Sequence, residues 1–107
     1  TVVGNLVDNA LDAVGTRDAA RVQVLLTENA EQVRLTVRDS GPGVPEEQME
    51  AVFRQGWTTK GMSAEGGRGF RLALTRLVCR RRGGDVSVRN DRGAVFTAVL
   101  PRQETRA

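Results

Sequence analysis

Asn5 and Asn9 stand four residues apart, about one helical turn, with Asp8 and Asp12 beside them in an otherwise apolar stretch. Asparagine is a mediocre helix former, so two at this spacing call for a reason. Their amide oxygens suit a hydrated Mg2+ and the phosphates it carries, because that cation takes oxygen ligands and keeps several of its waters. A polar helix face with no ligand accounts for this segment, taken alone, equally well.

Asp39-Ser40-Gly41-Pro42-Gly43-Val44-Pro45 sets a carboxylate at a strand end, followed by glycines that let another group approach the backbone. A carboxylate so placed can accept the exocyclic amine of adenine; in isolation the segment is also an ordinary Asp-Ser-Gly-Pro turn. Trp57-Thr58-Thr59-Lys60-Gly61 brings hydroxyls and a mobile ammonium, suited to neutralising a terminal phosphate, although simple solvent exposure explains it too. Gly66-Gly67-Arg68-Gly69 precedes a helix, where free backbone N–H groups and the positive dipole end attract phosphate; a flexible hinge has the same composition.

These residues need elements to hold them. Apolar side chains at Val2, Val3, Leu6, Val7, Ala10, Leu11 and Val14 predict a helix over 1–14 with Gly15 as its stop. Alternation at Val22, Val24 and Leu26, then at Val33, Leu35 and Val37, predicts strands over 21–27 and 32–38, each with one buried face, forming a hairpin through Glu28 to Glu31. Between Ser40 and Gly69 two prolines and seven glycines interrupt the pattern, leaving a long loop with a short helical stretch over 45–53. A helix from Phe70 to Arg82 and strands over 85–89 and 94–100, joined by Asn90-Asp91-Arg92-Gly93, complete the order. The expected fold is a two-layer α/β sandwich, with a mixed, mostly antiparallel sheet, helices on one face and a long glycine-rich lid. Residues 1–101 would form one domain and 102–107 a disordered tail.

At 107 residues the chain has room for one core. Its charge of +3 is spread along the sequence with acids interleaved, and only Phe53, Trp57, Phe70 and Phe96 are aromatic, so a platform for stacking nucleic-acid bases is not expected. With one cysteine, Cys79, and no histidine, neither an intrachain disulfide nor a His/Cys metal site can form. No apolar run has the length of a membrane span or a signal-peptide core, and a cytoplasmic setting is expected, whatever anchors the parent protein in an inner membrane.

Taken together and in order, the motifs resemble those of the ATP-binding family shared by histidine kinases, type II topoisomerases, the heat-shock chaperone and mismatch-repair ATPases. Asn5 to Ala13 is similar to the N box, Asp39 to Pro45 to the G1 box, Phe53 to Lys60 to the F box and Gly67 to Leu72 to the G2 box; Gly93 to Pro101 resembles the closing strand. The similarity runs to Pro101 and is strongest toward sensor kinases of the citrate and dicarboxylate type. It implies a Bergerat-type fold, with ATP and Mg2+ as ligands. Hydrolases of the family carry a glutamate where this chain has Asn5, and kinases an asparagine, which implies phosphotransfer to a histidine on a separate dimerisation domain and onward to a response regulator.

By the same resemblance, Asn9 and Asn5 would bind Mg2+, Asn5, Asp8 and Lys60 would serve the transfer, and Asp39, Gly41, Gly43 and Val44 would hold the base. Thr59, Lys60, Gly67, Arg68, Gly69, Phe70, Arg71 and Leu72 would line the phosphates, under a lid from Val44 to Gly69 that orders when nucleotide binds. Two departures stand out. Asp12 occupies a position often basic in these kinases, and Arg71 replaces the third glycine of the G2 pattern; it either reaches a phosphate or fills the cleft. A degenerate binding module of the same fold and an anti-sigma-factor-type serine kinase are the alternatives. Lacking histidine, the chain cannot phosphorylate itself, and as a domain it is expected to be a monomer missing an upstream strand and helix.

Overall fold

The computed structural model describes residues 2–15, 20–54 and 68–102. Helix α1 (Val2–Val14) buries Leu6, Ala10 and Val14, the four-residue stripe that the apolar spacing predicts, and closes with Gly15 N donating to Leu11 O at 3.1 Å. Helix α2 (Arg68–Arg81) begins two residues before the predicted Phe70 and turns Leu72, Thr75 and Cys79 inward. It ends in a Schellman motif: Gly83 N reaches Arg80 O at 3.1 Å and Gly84 N reaches Cys79 O at 2.8 Å, while Arg80 and Arg81 complement the dipole of the last turn.

Strands β1 (Val22–Glu28), β2 (Gln32–Asp39), β3 (Asp85–Asn90) and β4 (Ala94–Pro101) form a sheet in the order β1-β2-β4-β3, and each described pair is antiparallel. The short helical stretch expected over 45–53 is two 3-10 turns, Glu46–Gln48 and Ala51–Phe53. Both helices lie on the face that carries Leu35, Val37, Val86, Phe96 and Ala98. Their side chains merge there with Leu6, Ala10, Leu72 and Cys79 into one core, which also takes in Val44, Val52 and Phe53. Phe53 meets Phe96 edge to face, centroids 6.0 Å apart, so the segment after the Asp39 loop is fastened to the middle of the sheet.

One expectation fails. The register sets Val24 opposite Val37 and Leu26 opposite Leu35, on the helix side as the alternation implies, yet Val24 is 50% and Leu26 63% exposed. The reason is position: β1 is the edge strand, and of its helix-side residues only Val22, at the Asp39 end, packs against the core. Arg102 donates its backbone N–H to Glu31 O at 2.9 Å and its guanidinium to Asn29 O at 3.0 Å, extending the β2–β4 pairing by one residue. No described helix is long and apolar enough to cross a membrane.

Candidate functional site

Asp39 ends β2, where its carboxylate turns into the protein and is only 2% exposed. Oδ1 accepts Gly41 N at 2.8 Å and Ala94 N at 3.2 Å, closing the start of the loop and tying it to β4. Oδ2 is buried and has no hydrogen-bond partner among the described residues. A buried, unsatisfied carboxylate oxygen is costly, and proteins keep such atoms where a ligand satisfies them. The oxygen is an acceptor, and the partner it suits is an N–H donor such as the exocyclic amine of adenine.

The loop after Asp39 runs against two other segments. A Cβ on Gly41 would come within 2.9 Å of Ala13 O in the last turn of α1, so the loop and that helix end are in contact only because the residue is glycine. Gly43, at φ +81°, faces Asn90; a Cβ there would lie 2.6 Å from Asn90 Oδ1. The next residue, Val44, is buried and is gripped by Asn90 through both its backbone N–H and its carbonyl. Ser40 fixes the other side: its Oγ accepts Arg21 N at 2.8 Å, and its own N–H donates to Arg21 O at 3.1 Å.

Asn5 and Asn9 share α1 with Ala13, so that helix carries the two asparagines along a line that ends at the Asp39 loop, with about 12 Å of rise from Asn5 to Ala13. Both are partly buried, and Asn5 Nδ2 donates to Thr75 Oγ1 on α2 at 3.1 Å. Asp8 and Asp12 are exposed. The described residues contain no cluster of three or more His, Cys, Asp or Glu side chains that would hold a metal by themselves, so a cation here would draw most of its ligands from water and phosphate, the habit of Mg2+.

The structure thus brings α1, the Asp39–Val44 loop and the β3–β4 turn together. Leu72 is a core side chain, 3% exposed. Arg68, Gly69, Phe70 and Arg71 form the first turn of α2 by their backbone, while Thr59, Lys60 and Gly67 lie outside the described residues. The reading from sequence missed Asn90, Thr75 and Arg76. Thr75 had a visible signal, a hydroxyl three residues after Leu72 and four before Cys79 on the inward stripe of α2. Arg76 stacks 4.5 Å over the Phe53 ring and pairs with Glu50 at 3.0 Å and Asp85 at 3.1 Å, pinning the segment before residue 54 to α2 and β3. Burial opposes its charge, but those two carboxylates outweigh it and raise its pKa further.

A separate open cleft of about 320 Å³ lies at the same end of the sheet, lined by Arg21, Gln23, Arg38, Asp39, Ser40, Asp91 and Arg92. It includes neither asparagine, Gln23 and Arg38 belong to the sheet face away from the helices, and Arg38 is already paired with Asp91 at 3.2 Å. The buried Oδ2 of Asp39 on the helix face is the better marker of the site.

The family model described as histidine kinase-, DNA gyrase B- and HSP90-like ATPase matches residues 1–104. The sensor protein CitS of Bacillus subtilis is 39% identical over 108 residues, covering 99% of this chain and 19% of its own length. A probable C4-dicarboxylate sensor kinase of Halalkalibacterium halodurans is 37% identical over 106 residues, covering 95% of this chain and 19% of its own length. The chain therefore spans about a fifth of the length of these relatives. Among solved structures, the catalytic domain of histidine kinase ThkA superposes with a TM-score of 0.75 at 30% identity over 94% of this chain and 63% of that one. ThkA in complex with the response regulator TrrA gives a TM-score of 0.75 at 28% identity over 95% of this chain and 28% of that one.

Proposed function

The chain belongs to the histidine kinase-, DNA gyrase B- and HSP90-like ATPase family, and we propose that it serves as the ATP-binding catalytic domain of a two-component sensor histidine kinase. It donates the γ-phosphate of ATP to a histidine on a separate dimerisation domain of the same protein, from which a response regulator takes it. The chain has no histidine of its own, so the acceptor must be supplied from outside it.

The observation that carries this reading is the buried Oδ2 of Asp39, which has no hydrogen-bond partner among the described residues while Oδ1 accepts the N–H groups of Gly41 and Ala94. It provides an acceptor for the adenine amine, with Gly41, Gly43 and Val44 forming the edge of the base pocket. Asn9 and Asn5 on α1 offer amide oxygens toward Mg2+, which when bound neutralises charge on the transferring phosphates. Lys60, Thr59, Arg68, Arg71 and the backbone from Gly67 to Leu72 would hold the phosphate chain, with the N–H groups at the start of α2 as a natural cradle. Asp8, exposed on α1, would orient water or accept the proton of the incoming histidine. With little covalent chemistry required of the protein, positioning and electrostatics carry the transfer.

We place the domain in the cytoplasm, as a monomer, with its parent protein anchored in the inner membrane. The test is to mix the chain with the dimerisation domain of its parent protein and γ-labelled ATP. Label on the histidine of that domain, and none on the chain, is expected. Release of free phosphate with no labelled histidine would make the chain a hydrolase instead.

A further inference from the structure

Thr75 lies on the inward stripe of α2 between Leu72 and Cys79 and is 1% exposed. A hydroxyl at such a position needs a partner, because burying it unbonded is unfavourable. Part of the answer is Asn5, 70 residues earlier in the chain, whose Nδ2 donates to Thr75 Oγ1 at 3.1 Å across the junction of the two helices. The contact is between side chains, so it constrains the asparagine amide itself.

A carboxamide is planar, with its oxygen and nitrogen on opposite sides of Cγ, and the two ends are nearly the same size. Nothing steric stops it from flipping, so its orientation follows its hydrogen bonds, and in the structure the Thr75 hydroxyl is the acceptor of the amide N–H. With Nδ2 committed to Thr75, Oδ1 is turned the other way. Oδ1 is the end that a hard cation or its water would use, whereas a flipped amide would present N–H groups that repel the metal.

We propose that Thr75 is a positioning residue that fixes the Asn5 amide with its oxygen toward the metal-bearing phosphates, and so joins the asparagine helix to the helix that follows the glycine-rich segment. This rests on the nucleotide reading above. It makes Thr75 matter for the metal-dependent part of binding, which mere packing between α1 and α2 would not.

The experiment is calorimetric titration of the 107-residue chain with a non-hydrolysable ATP analogue, in Mg2+ and in chelator, with thermal melts alongside. The variants are Thr75→Val, Thr75→Ser, Asn5→Ala and the Asn5→Ala/Thr75→Val pair. Losing the hydrogen bond in Thr75→Val should weaken Mg2+-dependent binding about five- to tenfold and leave binding in chelator unchanged. Thr75→Ser, which keeps the hydroxyl, should restore the parent affinity. In the Asn5→Ala background Thr75→Val should add no further loss, because the two act as one unit. Should Thr75→Val fail to fold, Thr75→Ala removes the same hydroxyl without adding a methyl and is read the same way. Parent-like affinity on losing the hydroxyl, an equal loss with and without Mg2+, or an additive loss in the double variant would each overturn the proposal while leaving the nucleotide reading intact. Absence of binding by both the parent and Thr75→Ser would overturn the two together.

Discussion

Asn90 holds Val44 by both of its backbone polar groups: Oδ1 accepts Val44 N at 2.9 Å, and Nδ2 donates to Val44 O at 2.7 Å. One side chain thereby replaces the two hydrogen bonds a neighbouring strand would have supplied, at a point where the loop has left the sheet. Together with Ala94 N on Asp39 Oδ1, it makes the β3–β4 turn the support of the Asp39 loop.

Asn90→Ala is accordingly expected to leave the buried Val44 amide and carbonyl unpaired, lowering stability by about 1–3 kcal/mol and weakening nucleotide binding. Asn90→Asp should not rescue it, because a carboxylate oxygen would then face the Val44 carbonyl. Urea unfolding of the three chains checks this, and equal midpoints would show the clamp to be dispensable.

Asp39→Asn separates the structural and ligand roles of that carboxylate. Its Oδ1 can still accept Gly41 N and Ala94 N, so the fold should survive, but a donor now stands where the adenine amine needs an acceptor. ATP-analogue affinity should fall about a hundredfold, roughly the 3 kcal/mol of a mismatched buried polar pair, with a melting temperature close to that of the parent. A variant that binds as well as the parent would remove Oδ2 from the site.

Arg76 covers the Phe53 ring and reaches carboxylates on two other segments. Arg76→Ala is expected to cost about 2 kcal/mol through the lost stacking on Phe53 and the lost pairing that links two segments, and Arg76→Lys to recover only part of it because it lacks the planar face. Chemical denaturation measures the difference; a lysine variant as stable as the parent would mean that charge alone matters.

Acid should weaken the same junction. Burial pushes the Asp85 carboxyl upward, but Arg80, the Val86 N–H and Arg76 together hold it below its ordinary value of 3.8. A carboxylate with a depressed folded pKa stabilises fully above the unfolded value, and that contribution is lost as pH falls from about 4 through the lower folded pKa. Melting temperature should therefore drop below about pH 4 more steeply in the parent than in Asp85→Asn. Superimposable profiles would exclude Asp85 as a source of the acid sensitivity.

Much of this was legible in the residues. The period of α1, the hairpin ending at Asp39 and the Gly83-Gly84 stop all express local rules, and the structure places each within two residues of its expected position. What sequence could not convey was cover and pairing. Val24 and Leu26 alternate as buried residues do, but their exposure depends on β1 being an edge strand, which is a property of the whole sheet order. Asn90 sits in a turn where asparagine is common for its own sake, and its grip on Val44, 46 residues away, leaves no local trace. Thr75 and Arg76 likewise meet partners from distant segments.

The most direct test of the account is titration of the chain with a non-hydrolysable ATP analogue, with and without Mg2+, beside Asn9→Ala. Binding that Mg2+ strengthens, with that gain lost in Asn9→Ala, is the predicted result. A chain that binds no nucleotide in either condition, or one whose Mg2+ response is unchanged in Asn9→Ala, would contradict the assignment of α1 as the metal and phosphate helix.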